Sequence, residues 1–346
     1  MFNQFQNIFP RAFPESIGVG RIKQLPDDFV VEEELAFPFS GEGEHVYLQI
    51  RKTSQNTMWA AGLLAKHFSV KERDIGYAGL KDRHAITTQW MSLPAKFATD
   101  EKIKSFACPD IDIIDVQRHT GKLRKGAIKN NRFKIIVRNI KINDAELKQR
   151  LESIIQTGVP NYFDEQRFGL HRQNLIAAEK MFKGEFRPRR AKQRLYLSAA
   201  RSWLFNLILA KRVITKCWSS GLDGDVFILD GSKKYFHAEY MDEILANRII
   251  ANDIHPTAAL WGCGELQTTS EARRLELSIF DNWTAWCRQL EKSRMNQQRR
   301  ALRVMPGDLQ HVYDSNNQLL ELCFSLPAGA YATNVIRELI SIEDVE

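Results

Sequence analysis

The chain has 346 residues, 44% hydrophobic and 26% charged, the balance of a globular protein with material for two domains or one domain carrying a large insertion. No apolar run is long enough to cross a bilayer: the best, WLFNLILA at 203–210, is short and flanked by Arg and Lys, and the opening MFNQFQNIFPRAFPES lacks the basic and apolar regions of a signal peptide. The net charge is +7, and the five cysteines (Cys108, Cys217, Cys263, Cys287, Cys323) are scattered and never at C-x-x-C spacing, which argues against a disulfide framework or a zinc site and for a reducing cytoplasm.

Residues 21–35 (RIKQLPDDFVVEEEL) read as a lead-in loop running into a strand, with Phe29 and Val31 on the face opposite Val30. In HVYLQIRKT (45–53), Val46, Leu48 and Ile50 alternate with His45, Tyr47, Gln49 and Arg51, the pattern of a half-buried strand. Asn56 is placed to cap a helix over 57–68 with Trp59, Leu63 and Leu64 on its apolar side. FKIIVRNI (133–140) predicts another strand. Asn143 then caps a helix that carries Leu147, Leu151, Ile154 and Ile155 and closes at Gly158. Such a mixture favours α+β over a doubly wound sheet. After Pro160 the pattern turns helical over 174–184, 190–213 and about 271–291, with a strand-like GDVFILDG at 224–231. From Pro306 short β-like runs return, and Pro327-Ala328-Gly329 leads into a final helix. The shifts in composition at 157–160 and near 305 suggest a second domain inserted into the first.

Charge is unevenly spread. Arg118 to Lys134 holds seven Lys/Arg and no carboxylate, and further basic clusters lie at 186–194 (FRPRRAKQR) and 294–303 (RMNQQRRALR). Three separate clusters suit an extended polyanion better than one small phosphate.

Several familiar chemistries are missing from the pattern. There is no G-x-x-x-x-G-K-[ST], and neither GVG at 18–20 nor GEGEHV at 41–46 completes a dinucleotide fingerprint. His237-Ala238-Glu239 imitates the H-x-E of a zinc deaminase, yet no P-C-x-x-C follows, and the eight histidines show no ligand spacing. No metal site is therefore expected. What stands out is GYAGLKDRHAITTQW (76–90), where one carboxylate, Asp82, sits among Lys81, Arg83 and His84 at the lip of a strand. Taken alone, these residues read as a solvated charged turn in which Asp82 bonds nearby backbone N–H groups.

This stretch closely resembles the G-x-K-D-x-x-x-x-T-x-Q motif of the TruD family of tRNA pseudouridine synthases. The stretch that begins at Lys23 resembles the family's K-x-x-P-x-D-F-x-V-x-E opening, and Asn131-Arg132-Phe133 its N-x-F element. NYFDEQRFG (161–169), LWGCGE (260–265) and FSLPAGAYATNVIREL (324–339) match in order, so the likeness spans nearly the whole chain. It implies a catalytic pseudouridine synthase domain of α/β (α+β) type with a mainly antiparallel sheet, built from 1–156 and 306–346. It also implies an inserted, helix-rich TRUD domain at 157–305, with tRNA in the cleft between the two.

The implied reaction isomerises uridine to pseudouridine in tRNA, usually at position 13 of the D-arm, and needs no cofactor. Asp82 would be the catalytic residue, acting as nucleophile at C1′ or as base at C2′. Phe29, Phe133 and Tyr331 would surround the uracil with Asn131 beside it, many relatives having Phe where this chain has Tyr331. Lys23, Lys81 and Arg83 would be further substrate contacts. Neighbouring strand positions diverge, so the sequence leaves open which cation pairs with Asp82, and Arg83 could equally hold a phosphate. Lys23 with Glu32 or Glu33 would form either a pocket-shaping pair or a surface pair. The expected partner is tRNA, with no membrane, no obligate protein partner and a monomeric state. The rival readings are a non-catalytic RNA-binding protein or RNA chaperone, and an RNA-acting hydrolase that releases free uracil.

Overall fold

The computed structural model describes residue 5 and residues 9–343. Residues 1–4 and 6–8, part of the opening examined for a signal peptide, lie outside the described residues, as do 344–346. The chain folds as two compact units. One holds Ile17–Glu146, Pro306–Gly329 and the described residues from Ile340; the other holds the described residues up to Ser16, Leu147–Met305 and Ala330–Leu339. This division extends the expected insertion back to Leu147 and adds the residues up to Ser16 and Ala330–Leu339 to it.

The chain begins with β1 (Val19–Gly20), a 3-10 turn at Pro26–Asp28, β2 (Phe29–Leu35), β3 (His45–Thr53) and α1 (Thr57–His67). Next come β4 (Gly76–Tyr77), β5 (Ile86–Pro94), α2 (Asp100–Lys104), β6 (Ile111–His119) and β7 (Ile128–Val137). Helix α3 (Asp144–Thr157) leads to β8 (Val159–Pro160), α4 (Glu165–Phe168), α5 (Gln173–Phe182), α6 (Arg190–Ile214), β9 (Val226–Leu229) and β10 (Tyr235–His237). Then follow α7 (Glu243–Ile250), β11 (Ile254–Leu260), α8 (Ser270–Phe280), α9 (Thr284–Lys292), β12 (Gln298–Ala301) and β13 (Arg303–Val304). The last elements are β14 (Gly307–Asp314), β15 (Leu319–Pro327), α10 (Ala332–Leu339) and β16 (Ser341–Ile342).

The first unit is built on a mixed, mostly antiparallel sheet in the order β14-β15-β7-β2-β5-β3-β6, with β4 added to β5. Its parallel pairing, β2 on β5, joins Val30 to Ile86 and Val31 to Thr87. Side chains directly opposite in register share a face. Phe29, Val31 and Glu33 therefore lie with Ile135, Phe133 and Asn131 of β7, and Phe133 with Phe324 of β15. On β3 the same face carries Val46, Leu48 and Ile50, which pack with Ala60, Ala61 and Leu64 of α1.

Asn56 caps α1 as expected, its Oδ1 accepting from the Trp59 N–H at 2.8 Å. The buried stripe, however, runs through Ala60, Ala61, Leu64 and Ala65, and Trp59 is exposed. Close packing of the helix on the sheet selects small residues rather than the largest ring. Strand β3 keeps the expected alternation, with Gln49 half-buried and Arg51 exposed, except at Tyr47, which is buried. Tyr47 packs with Trp90, Phe37 and Phe39 on the far side, an aromatic cap supplied by the loop after β2.

Helix α3 begins with Asn143 Oδ1 accepting from Ala145 N at 2.9 Å and closes on Gly158, whose φ of +75° suits glycine. It buries Leu147, Leu151 and Ile154, while Ile155 faces outward.

The second unit is the helix-rich one. The 25-residue α6 runs through its core, burying Leu197, Trp203, Leu204, Phe205, Ile208 and Leu209. A four-stranded sheet, β10-β9-β11-β12, completes it. No helix among the described residues is long and apolar enough to cross a membrane.

Candidate active site

The parallel pairing of β2 with β5 decides the site. Strands that start together have their lead-in loops side by side, so the loop before Phe29 meets the loop before Ile86. The first loop is fixed by Asp28, which is fully buried. Its carboxylate accepts from Leu25 N at 2.9 Å and from Arg138 Nε at 2.9 and 3.0 Å. From this loop Lys23, held in the left-handed region at φ +58°, sends its ammonium over the Phe29 ring, 4.4 Å from the centroid, to an ion pair with Asp82 Oδ2. Both side chains of the pair keep 21% of their surface exposed. Asp82 Oδ1 also accepts from the His84 N–H at 3.3 Å, a local turn bond.

The cation on Asp82 is therefore Lys23, 59 residues away in sequence, and neither of its chain neighbours. Lys81 turns inward instead. Its side chain is only 5% exposed, and the ammonium lies 3.0 Å from Glu33 Oε2 and also donates to Asn131 Oδ1. The Lys23 partner is thus neither Glu32 nor Glu33; Glu33 belongs to Lys81. Burial pushes the Glu33 carboxyl up, while Lys81 opposes that shift. Arg83 and His84 are exposed on the turn.

Three phenylalanines line the same face. Phe133 is half-buried, its ring 6.1 Å from Phe29 at 71° and 5.6 Å from Phe324 at 28°. Phe29 and Phe324 are buried, so Phe133 has the most accessible of the three rings. Tyr331 lies in the helix-rich unit just before α10, where its carbonyl accepts from Asn334 N at 3.0 Å and its ring meets Phe163 edge-on at 6.5 Å.

Sequence reasoning missed Lys52, Thr57 and Phe324. Lys52 is wholly buried on β3, and its ammonium donates to the carbonyls of Gln55 and, at 3.0 Å, of Asp82. Burial lowers it to about 8, with Lys81 adding to the lowering and Asp82 opposing it. The signal was present: Lys52 continues the inward parity of Val46, Leu48 and Ile50. Thr57 accepts from Lys81 N at 2.9 Å and donates to Gln89 Oε1 at 2.9 Å.

The basic clusters divide. In 118–134 the seven cations are exposed, although Lys129 and Lys134 pair with Glu34 and Glu321 at 3.0 Å. In 186–194 Arg187, Arg189, Arg190, Lys192 and Arg194 are exposed at the start of α6. The third cluster is largely a core feature, contrary to its reading as a polyanion surface. Arg299 is buried on Glu276 at 2.9 Å, Arg303 donates to His255 Nδ1 at 3.0 Å, and Arg300 lies 4.1 Å over the Phe163 ring. Among the described residues no group of His, Cys, Asp and Glu has the arrangement of a metal site.

Comparison with known proteins places the chain in a family. The family model described as tRNA pseudouridine synthase D (TruD) matches residues 14–190 and 187–339. This chain belongs to the TruD family. A tRNA pseudouridine synthase D of Hydrogenovibrio crunogenus is 43% identical over 338 residues, covering 97% of this chain and 96% of that protein. Another, of Methylococcus capsulatus, is 42% identical, with 96% and 94% covered. A solved Methanosarcina mazei structure carrying the same family name superposes with a TM-score of 0.73 over 96% of this chain and 95% of that one; at 21% identity it speaks for the fold. Within the TruD fold, the K-D pair at 81–82 thus has divided duties. Lys81 braces Glu33 and Asn131 from inside, and Asp82 faces Lys23 at the surface.

Proposed function

We propose that the protein is a tRNA pseudouridine synthase that isomerises uridine to pseudouridine at position 13 of the D-arm, working as a monomer in the cytoplasm. One observation carries the reading: a partly exposed carboxylate, Asp82, is paired to Lys23 beside the accessible ring of Phe133 and the amide of Asn131.

The chemistry requires the N1–C1′ bond to break, the uracil to turn, and C5 to bond to C1′; the C5 hydrogen leaves and N1 takes up a proton. No electrons are exchanged, so one carboxylate suffices, either attacking C1′ or removing the C2′ proton. Lys23 favours the ionised form of Asp82 that both roles need. Asn131 Oδ1 is engaged by Lys81, which leaves its Nδ2 hydrogens to bond a uracil carbonyl. Flipping the uridine out costs about a few kcal/mol, and stacking on Phe133 offsets roughly 1–3 kcal/mol of that. Arg83, exposed beside Asp82, is placed for a phosphate.

The test compares wild type with Asp82→Asn on unmodified tRNA labelled with tritium at uridine C5. The reading expects tritium release without free uracil from the wild type, and an Asn variant that binds tRNA without turnover. Normal turnover by the variant would overturn the assignment. Free uracil would instead indicate a hydrolase, and binding with no tritium release by either form an RNA-binding protein.

A further inference from the structure

We propose that Lys52 is a positioning residue for the catalytic loop: its buried ammonium clamps the main chain at Asp82 and supplies a second positive charge to the carboxylate's surroundings. This rests on Asp82 being the catalytic group.

The loop is tied to the β3–α1 junction at three points. Ser54 N donates to Ala85 O at 3.2 Å, Thr57 Oγ1 accepts from Lys81 N at 2.9 Å, and Lys52 Nζ donates to Asp82 O at 3.0 Å. Of these anchors Lys52 is the charged one. It reaches the loop because β3 runs antiparallel to β5, which sets Lys52 opposite Thr87 near the start of β5; on its other side Lys52 faces Ile111 of β6. Neither neighbour is ionisable. The charged groups acting on the ammonium both belong to the loop, Asp82 favouring the charge and Lys81 disfavouring it. Nearby, Gln55, whose carbonyl takes the other Lys52 bond, donates its side chain to Asp110 Oδ2 at 2.9 Å.

A lysine without exposed surface is costly to bury, and an apolar side chain would fill the position more cheaply. The cost is matched by placement: charge-assisted bonds to two carbonyls are the strong kind, and the bond to Asp82 fixes the backbone from which the catalytic carboxylate projects. Displacement of such a group by about 1 Å typically costs on the order of 100-fold in rate.

The ammonium also titrates where enzymes are assayed, since burial has brought it to about 8. Above that pH the amine gives up one proton and keeps two hydrogens for its two carbonyls but loses its charge, so the clamp weakens and Asp82 loses a neighbouring cation. Unfolding does not account for such a loss. Between about 8 and the ordinary value of 10.5 the unfolded chain holds more proton on Lys52 than the folded one, so this group's contribution to stability rises with pH.

The experiment measures single-turnover tritium release with saturating tRNA from about pH 6.5 to 9.5, alongside tRNA affinity and melting curves, for wild type, Lys52→Met and Lys52→Arg. The wild-type rate should fall with an apparent pKa near 8. Lys52→Met should be roughly 100-fold slower with affinity within about threefold, and its alkaline limb should be absent. Lys52→Arg keeps the cation, so its limb should move up in pH. A folded Lys52→Met within about threefold of the wild-type rate overturns the proposal, as does an alkaline limb that persists in it. If Lys52→Met does not fold, a flat wild-type profile, or an unmoved limb in Lys52→Arg, overturns it equally. Asp82→Asn run alongside separates the two levels. An active Asp82→Asn removes the premise, whereas an inactive one beside an unimpaired Lys52→Met rejects Lys52 alone.

Discussion

Lys23 and Asp82 form an ion pair across 59 residues of sequence, and Lys23 reaches it from a left-handed backbone over the face of Phe29. A left-handed conformation costs an L-residue about 1–2 kcal/mol. Here it is held by the buried Asp28, which ties the loop to Leu25 and Arg138. The pair is thus a product of the β2–β5 register more than of local charge.

Removing the cation should expose this dependence. Lys23→Met removes the ion pair from a half-buried carboxylate, so the single-turnover rate should fall by about tenfold to 100-fold while tRNA affinity changes little. Rate and affinity measured side by side check this. An affinity loss of the same size as the rate loss would make Lys23 a simple phosphate contact.

Phe133 and Phe29 should separate cleanly. Phe133→Ala should weaken tRNA binding or turnover by the equivalent of about 1–3 kcal/mol, the worth of one stacked base. Phe29→Ala, at a buried position, should instead destabilise the first unit by about 3–5 kcal/mol. Denaturant unfolding and tRNA titration of both variants distinguish the two outcomes.

Salt dependence should sort the basic clusters. Replacing Arg187, Arg189 and Arg190 together by Gln should lower the log–log salt slope of tRNA binding by about two units, because fewer counterions are released. Arg299→Met should leave that slope alone and cost about 3–5 kcal/mol of stability, since it strands Glu276 in the core. Binding titrations at several salt concentrations, with unfolding curves, check both.

The helix-rich unit should carry an acid-sensitive link at His255. Burial chiefly lowers its pKa, with Arg303 adding to the lowering and Asp230 opposing it. Its Nδ1 accepts from Arg303 Nε, which requires the neutral ring. A lowered histidine binds more protons when unfolded, so its contribution is present above about 6.5 and is lost as pH falls toward the folded value. Unfolding free energies at about pH 7.5 and 5 should therefore differ more in wild type than in His255→Gln.

Much of this protein was legible in its sequence. Alternation in 45–53 marked β3, Asn56 and Asn143 announced their helices, Gly158 closed α3, and the K-D, N-x-F and NYFDEQRFG stretches pointed to the TruD family. These are local signals, set by side-chain periodicity and by hydrogen bonds that close within a few residues.

What the sequence did not determine depends on which strand lies beside which and on what covers each face. Parallel pairing of β2 with β5 chose Lys23 over Lys81 and Arg83 as the partner of Asp82. Antiparallel pairing of β3 with β5 carried Lys52 to the loop of Asp82, and packing turned Arg299 and Arg303 from apparent RNA contacts into core braces. Periodicity reports that a residue points inward, but only the long-range register decides which charge waits for it there.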